Sequence, residues 1–393
     1  MTRRLYHEDA TLRRFEAEVL AHAIVGGKVA VVLDRTAFYP EAGGQLGDHG
    51  RIADIGVVDT QELDDGRIAH VLAGDAPSVG ASVAGEIDWA RRRQHMAQHT
   101  AQHLLSGTLL DRAQAATQSA RLGESALTID VARDRIPEAE LAAAEDLAND
   151  IIDDDLAIRA WFPDPGELAS LKLRRDPKVT ADIRVVAIGD FDYSPCGGTH
   201  CARTSQLGAI RIIGAERYKG MTRVTFTAGK RGRAEMFSRD QVLRSLATQF
   251  SCGPAEVPLA VDKMRASSSS AAAEITALRG RLADAIVATL NGTGPVVAAI
   301  PGDVEVLRSV AAKIANAGRD AILCAPDDTG CAVVLFRAAG SQLDCGALWK
   351  QLAARSGGRG GGKAERAEGR LASPVADWPA LIAELLPISP NAR

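Results

Sequence analysis

The sequence predicts an α+β protein with an N-terminal small β-barrel, an α+β domain, a helical linker and a C-terminal α/β module. Three observations carry this. Short apolar runs broken by glycine fill residues 28–89, a helical period begins near Arg91, and strand-like and helix-like segments alternate again after residue 292. A chain of 393 residues also exceeds one ordinary core at roughly 150 residues per domain. The expected boundaries are 1–90, 91–229, 230–292 and 293–393.

In the first segment KVAVVLD, RIADIGVVD, RIAHVLA and ASVAGEIDW read as strands of a small barrel or sandwich, separated by a Gly-rich loop ending at Gly50. The N-terminal stretch MTRRLYHEDATLRRFEAEVL reads as helical or irregular. From Arg91, the residues Met96, Leu104, Leu105, Leu109 and Leu110 suit one buried helical face. Strand-like SALTIDV, a helix starting near Pro137, and strand-like AIRAWF, DIRVVAIG, LGAIRIIGAE and TRVTFTAG complete the second domain. Residues 231–290 are helical and alanine-rich, with a break at Gly253-Pro254, and suit either a spacer or a homodimer contact. The last module runs VVAAI, a helix through DVEVLRSVAAKIANAG, AILCA, CAVVLFRA, a helix containing Trp349, the glycine-dense GGRGGGK and a terminal helix ending near Leu386.

The net charge of −4 excludes a protein coated in positive potential, so a nucleic-acid partner would be met by local basic clusters. Arg91–Arg93, Arg174–Arg175 and the stretch from Lys230 through Arg233 are such clusters. The N-terminus lacks the apolar core of a signal peptide and no run approaches a membrane span, so a cytoplasmic protein is expected. Six cysteines scattered over a large chain suit reduced thiols or metal ligands better than a disulfide framework.

His99 and His103 are four residues apart in a predicted helix, so both rings project from one face and can reach a single ion. Cys196 and His200 repeat that spacing within SPCGGTHC, where two glycines permit a tight turn. Together the pairs supply the number and kind of donors that tetrahedral zinc takes. A Cys196 thiolate with a histidine base is the competing reading, and it leaves three candidate ligands without a role. His95 and Cys201 stand beside the two pairs as further potential ligands.

HTAQHLL at 99–105, followed by CGGTHCARTSQLGAIRIIGAE at 196–216, resembles the editing domain of alanyl-tRNA synthetases and of free-standing AlaX proteins. FYPEAGGQLGDHG, Phe38–Gly50, is similar to the Gly-rich element before that domain. GGRGGGKAERAEG, Gly357–Gly369, is similar to the glycine-rich loop of the C-terminal domain, of DHHA1 type, that such synthetases share with certain phosphoesterases. The motifs fall in the family's order, and the chain is similar to the long form of AlaX. No class II aminoacylation or ATP site is expected, and an Asp-His-His metal motif is missing.

The resemblance implies a zinc-containing editing domain at 91–229 and a C-terminal tRNA-binding domain at 293–393. It implies Zn2+ held by His99, His103, Cys196 and His200, and it places Thr100 and Gln118 in the amino-acid pocket as catalytic-site residues. The implied reaction is hydrolysis of the ester in tRNA(Ala) mischarged with serine, and with glycine as a further substrate. The alternative is a non-catalytic tRNA-binding module folded around a structural zinc. Four protein ligands are more typical of a closed site than of one that keeps a position for water, so zinc that activates water and zinc that only organises the pocket both remain open.

Overall fold

A twelve-residue strand lies where the sequence reads as helical or irregular. After a two-residue strand β1 (Arg3–Arg4) and the short helix α1 (Leu5–Glu8), strand β2 runs Arg14–Val25 and buries Ala17 and Val19 in alternation with exposed Glu16, Glu18 and Leu20. The alternation is that of a half-buried strand. Alanines on the inner face made it faint. The computed structural model describes residues 1–123, 126–177 and 179–386, so Ser125 of the expected strand SALTIDV lies outside the described residues. It divides into two compact units, Met1–Ser245 and Leu246–Arg393.

In the first unit, β3 (Lys28–Leu33), the two-residue β4 (Arg35–Thr36), β5 (Gly50–Ile52), β6 (Ile55–Glu62), β7 (Ile68–Leu72) and β8 (Ser82–Ile87) follow β2. β4 pairs with β1, while the barrel closes in the order β2-β3-β7-β6-β5-β8. Closure leaves no edge strand. Between β5 and β6, Ala53 and Asp54 both take positive φ (47° and 65°), the turn whose twist matches a two-residue hairpin. Val19, Leu33, Phe38, Ile52 and Leu72 are among the side chains that fill the barrel.

His70 of β7 is fully enclosed. Its Nδ1 donates to Val31 O (3.0 Å), which leaves Nε2 to accept the Thr36 hydroxyl at 2.8 Å. Burial pushes its pKa down from 6.5 to about 4. A depressed histidine stabilises the fold above its unfolded pKa, and the contribution is lost as pH falls through the folded value. We expect roughly 3 kcal/mol to disappear between pH 6.5 and 4 through this residue. Urea midpoints measured across that window should fall less steeply in His70→Gln than in the wild type, and equal slopes would refute this.

Helix α2 (Trp89–Ala113) starts at Asp88, whose side chain accepts Arg91 N–H, and ends at Gln114 in the left-handed conformation. Met96, Leu104, Leu105 and Leu109 are buried as expected, whereas Leu110 turns to solvent at 36% exposure. The helix is joined to the barrel by Arg92, which is fully buried. Its Nε donates to both oxygens of Asp48 (3.1 and 2.9 Å), and Nη1 and Nη2 donate to Ala10 O and Ala37 O.

The remaining strands and helices of this unit are β9 (Thr117–Leu122), β10 (Leu127–Val131), α3 (Glu138–Asp153), β11 (Ile158–Trp161), α4 (Pro165–Ser170), β12 (Val185–Ile188), β13 (Asp192–Pro195), β14 (Ile210–Tyr218) and β15 (Met221–Ala228). They form one antiparallel sheet in the order β14-β15-β10-β9 and a second in the order β11-β12-β13. Ile129, Val224 and Phe226 of the larger sheet pack in one core with Leu104, Leu105 and Leu109 of α2.

The linker stretch holds α5 (Gly229–Gln249) and α6 (Val257–Thr289), with the break at Gly253-Pro254 where it was expected. The C-terminal module contains β16 (Val296–Ala299), α7 (Val304–Asn316), β17 (Ala321–Asp327), β18 (Gly330–Phe336), α8 (Cys345–Ser356), β19 (Gly358–Gly362), β20 (Arg366–Leu371) and α9 (Trp378–Leu385). Its sheet runs β16-β17-β18-β20-β19, and only β16 and β17 are parallel. The glycine-rich segment, whose resemblance implies a loop, is an edge strand. A Cβ on Gly369 would stand 2.1 Å from the Trp349 ring and one on Gly360 2.7 Å, so the indole lies directly on these backbones. Among the described residues no helix is long and apolar enough to cross a membrane.

Candidate metal centre

Two elements converge at the site. His99 and His103 stand one turn apart on α2, and the turn after β13 carries Cys196 and His200. One potential ligand atom from each of the four lies within 4.8 Å of all the others. Cys196 Sγ is 3.5 Å from His99 Nε2 and 3.4 Å from His200 Nε2. Zinc bonds of about 2.0–2.3 Å at tetrahedral angles give ligand–ligand edges of about 3.3–3.6 Å. The donor set and its spacing therefore fit a metal ion of zinc type.

The tautomers follow from the partners. His99 Nδ1 lies 2.7 Å from Gln45 Oε1, an oxygen that only accepts, so Nδ1 carries the proton and Nε2 presents its lone pair to the cluster. Gln45 is itself held, with Nε2 donating to Thr199 Oγ1 (2.9 Å) and Oε1 accepting Thr199 N–H (3.2 Å). Thr100 Oγ1 lies 3.2 Å from His200 Nδ1 and accepts Cys201 N–H at 3.1 Å. His103 Nδ1 is buried, has no hydrogen-bond partner among the described residues and lies 3.9 Å from Asp192 Oδ2. Asp192 is in turn fixed by Arg174 Nε at 2.6 Å and the Ser194 hydroxyl at 2.9 Å.

Burial holds all three imidazoles far below the ordinary histidine range, His99 at about 3, so they are neutral donors at pH 7. The same burial pushes the Cys196 thiol up, while Gly198 N–H, 3.3 Å from Sγ, opposes that rise. A cation in the centre would favour the thiolate.

Gly198 has no room for a side chain. A Cβ there would lie 2.2 Å from His99 Cε1 and 2.5 Å from His99 Nδ1. Gly198→Ala must displace either the ring or the turn. We expect metal affinity to fall about 10- to 100-fold, the range found when a ligand's orientation is lost. Competition with a chromophoric chelator measures this, and unchanged affinity would rule it out.

The cluster opens on a cleft of about 580 Å³ lined by His99, Cys196, Gln102, Gln118, Tyr39 and Phe162 among others. Gln118 sits on β9 and reaches the cleft wall. Thr100 is fully buried behind His200 and does not line the cleft. His95 and Cys201 stay outside the group of four. Gln45, which orients His99, and Asp192, 3.9 Å from His103, do not stand out in the sequence. Gln45 lies inside the Gly-rich segment Phe38–Gly50, and that was the available signal.

Residues 183–225 match the family described as "Threonyl and Alanyl tRNA synthetase second additional domain", and residues 6–91 match "tRNA synthetases class II (A)". The first stretch holds Cys196, His200 and β14; the second covers the barrel. The chain is 35% identical to the alanyl-tRNA editing protein AlaX-L of Pyrococcus horikoshii over 276 residues, 67% of this chain and 66% of that protein. It is 32% identical to the alanine–tRNA ligase of Thermococcus kodakarensis over 95% of this chain and 42% of the ligase, and 30% identical to that of Halorubrum lacusprofundi over 91% and 40%. The chain thus spans about two fifths of the ligases it matches. Motif order, metal-site chemistry and these similarities agree: the chain belongs to the family of AlaX-type alanyl-tRNA editing proteins, related to alanine–tRNA ligases.

Proposed function

We propose that the protein is a zinc-dependent deacylase that hydrolyses the ester of serine-mischarged tRNA(Ala), with glycine-mischarged tRNA(Ala) as a further substrate. The observation that carries this reading is the four-donor cluster opening on a cleft with an amide side chain, Gln118, on its wall. The chemistry that zinc supplies when bound is Lewis-acid polarisation or activation of water beside the ester.

The protein's own residues do the rest. Gln118 offers both a donor and an acceptor to a serine hydroxyl. Alanine offers neither, so bound alanine would leave those atoms unpaired. Glycine is small enough to enter the same space. Thr100 acts through His200, whose Nδ1 it faces, and Gln45 acts through His99. Recognition of the tRNA body is assigned to residues 293–393, where the exposed edge strand β19 carries Arg359 and is followed by Lys363.

Serine-, glycine- and alanine-charged tRNA(Ala) should be incubated with protein of known metal content, and release of each amino acid followed. We expect release of serine and glycine and little of alanine. No release from any of them by zinc-loaded protein would instead favour a tRNA-binding module with a structural zinc.

A further inference from the structure

The turn at Pro195–Gly198 presents four successive carbonyl oxygens to side chains that line the cleft. Arg175 Nη2 donates to Pro195 O at 3.1 Å, and Arg184 Nη1 donates to Cys196 O at 3.0 Å and to Gly198 O at 2.8 Å. His7 Nε2 lies 3.1 Å from Gly197 O. All three side chains reach the cleft. The two arginines therefore sit at neighbouring peptides beside the metal centre, and the charge of each is felt at His99.

Arg184 is only 6% exposed, yet among the described residues no carboxylate pairs with it. Its Nη1 donors are taken by the two carbonyls, and among the described residues its buried Nε has no partner and no acceptor meets Nη2. Glu62, Asp176 and Asp182 also line the cleft, but none forms an ion pair with either arginine, and Glu62 is held by Arg4. A buried guanidinium without a counter-charge is costly, and a cation held by three neutral imidazoles and one thiolate would leave the centre positive as well. Among the described residues Arg184 therefore reaches the cleft with no counter-charge of its own.

We propose that Arg184 and Arg175 bind the phosphodiester next to the acylated end of the RNA strand. The inference rests on the deacylase reading for the strand's identity. An ester placed at the metal centre carries its nearest negative charge on the 5′-phosphate of the same terminal nucleoside. Planar guanidinium groups suit phosphate oxygens, and the contact sets the position of the ester without reading a base. Arg184 has a second task, because the same group clamps the turn that carries Cys196.

The test uses binding, so it does not depend on hydrolysis. Fluorescence anisotropy would compare an uncharged RNA hairpin with a single-stranded 3′ end against the same hairpin with an uncharged methylphosphonate at its last linkage. Wild-type protein should prefer the natural linkage about 10-fold. Arg175→Gln and Arg184→Gln should each bind the natural hairpin about 10-fold more weakly and discriminate less than about 2-fold, with the salt slope reduced by about 0.7. The metal content of each variant is measured in parallel. If Arg184→Gln has lost metal by disturbing the turn, Arg175→Gln decides. Full discrimination retained in Arg175→Gln, or in metal-replete Arg184→Gln, would overturn the proposal. Failure of the deacylase reading is seen separately, as no amino acid released by wild type while the preference for the natural linkage persists.

Discussion

Cys196→Ala is expected to lose bound zinc and deacylation together. Cys196 Sγ lies about equally far from His99 Nε2 and His200 Nε2, at 3.5 and 3.4 Å, so its removal opens one corner of the donor set and takes away the anionic ligand. Three neutral imidazoles remain. The half-sites are also coupled, since Gly198 N–H points at the same sulfur and Gly198 packs directly on His99. We expect zinc in the purified protein to drop from about one per chain to a small fraction, and release of serine to fall at least about 10²-fold. Metal analysis and a deacylation time course on the same preparation measure both. A metal-free variant that retains activity would sink the assignment of the metal to the reaction.

Asp48→Ala should cost the first unit about 3–5 kcal/mol, the range for leaving one partner of a buried ion pair alone. Arg92 and Asp48 are both fully buried. Asp48 Oδ2 also accepts Tyr39 N–H at 2.7 Å, so its removal strands a backbone donor together with a guanidinium. The pair joins the barrel to α2, the helix that bears His99 and His103, and Tyr39 lies on the cleft wall. Chemical denaturation followed by a signal from the first unit should show the loss, and metal affinity should decline with it. A change below about 1 kcal/mol would mean that water or a rearranged partner replaces the carboxylate.

Much of the architecture was legible because period and punctuation were strong. The helix from Arg91, the break at Gly253-Pro254 and the strands KVAVVLD and RIAHVLA lie where the pattern put them. Strand β2 is faint in the sequence because Ala17, Ala21 and Ala23 give half of its inner positions little apolar weight while Leu20 and Ile24 stand on the exposed face, which weakens a two-residue period. The strand carrying Gln118 was missed because TQSARL has little apolar contrast. The GGRGGGK segment reads as a loop because glycines report only that side chains are excluded. They do not say whether a ligand or, as here, a tryptophan ring excludes them.

The sequence by itself determined the chemistry of the site: which nitrogen and sulfur donors exist, and that each pair is four residues apart on a helix or a tight turn. Local geometry suffices for that, because a helical period and a glycine turn place neighbours without knowledge of the rest of the chain. Only the tertiary structure decided that the two pairs meet across roughly a hundred residues. It also put Gln45 of the barrel segment behind His99, Thr100 behind the site and Gln118 on its wall, and it left Arg184 buried beside the centre without a counter-charge among the described residues. Those facts depend on how α2 is seated on the barrel and on the two sheets, which is set by long-range packing and by the Arg92–Asp48 pair rather than by any local run of residues.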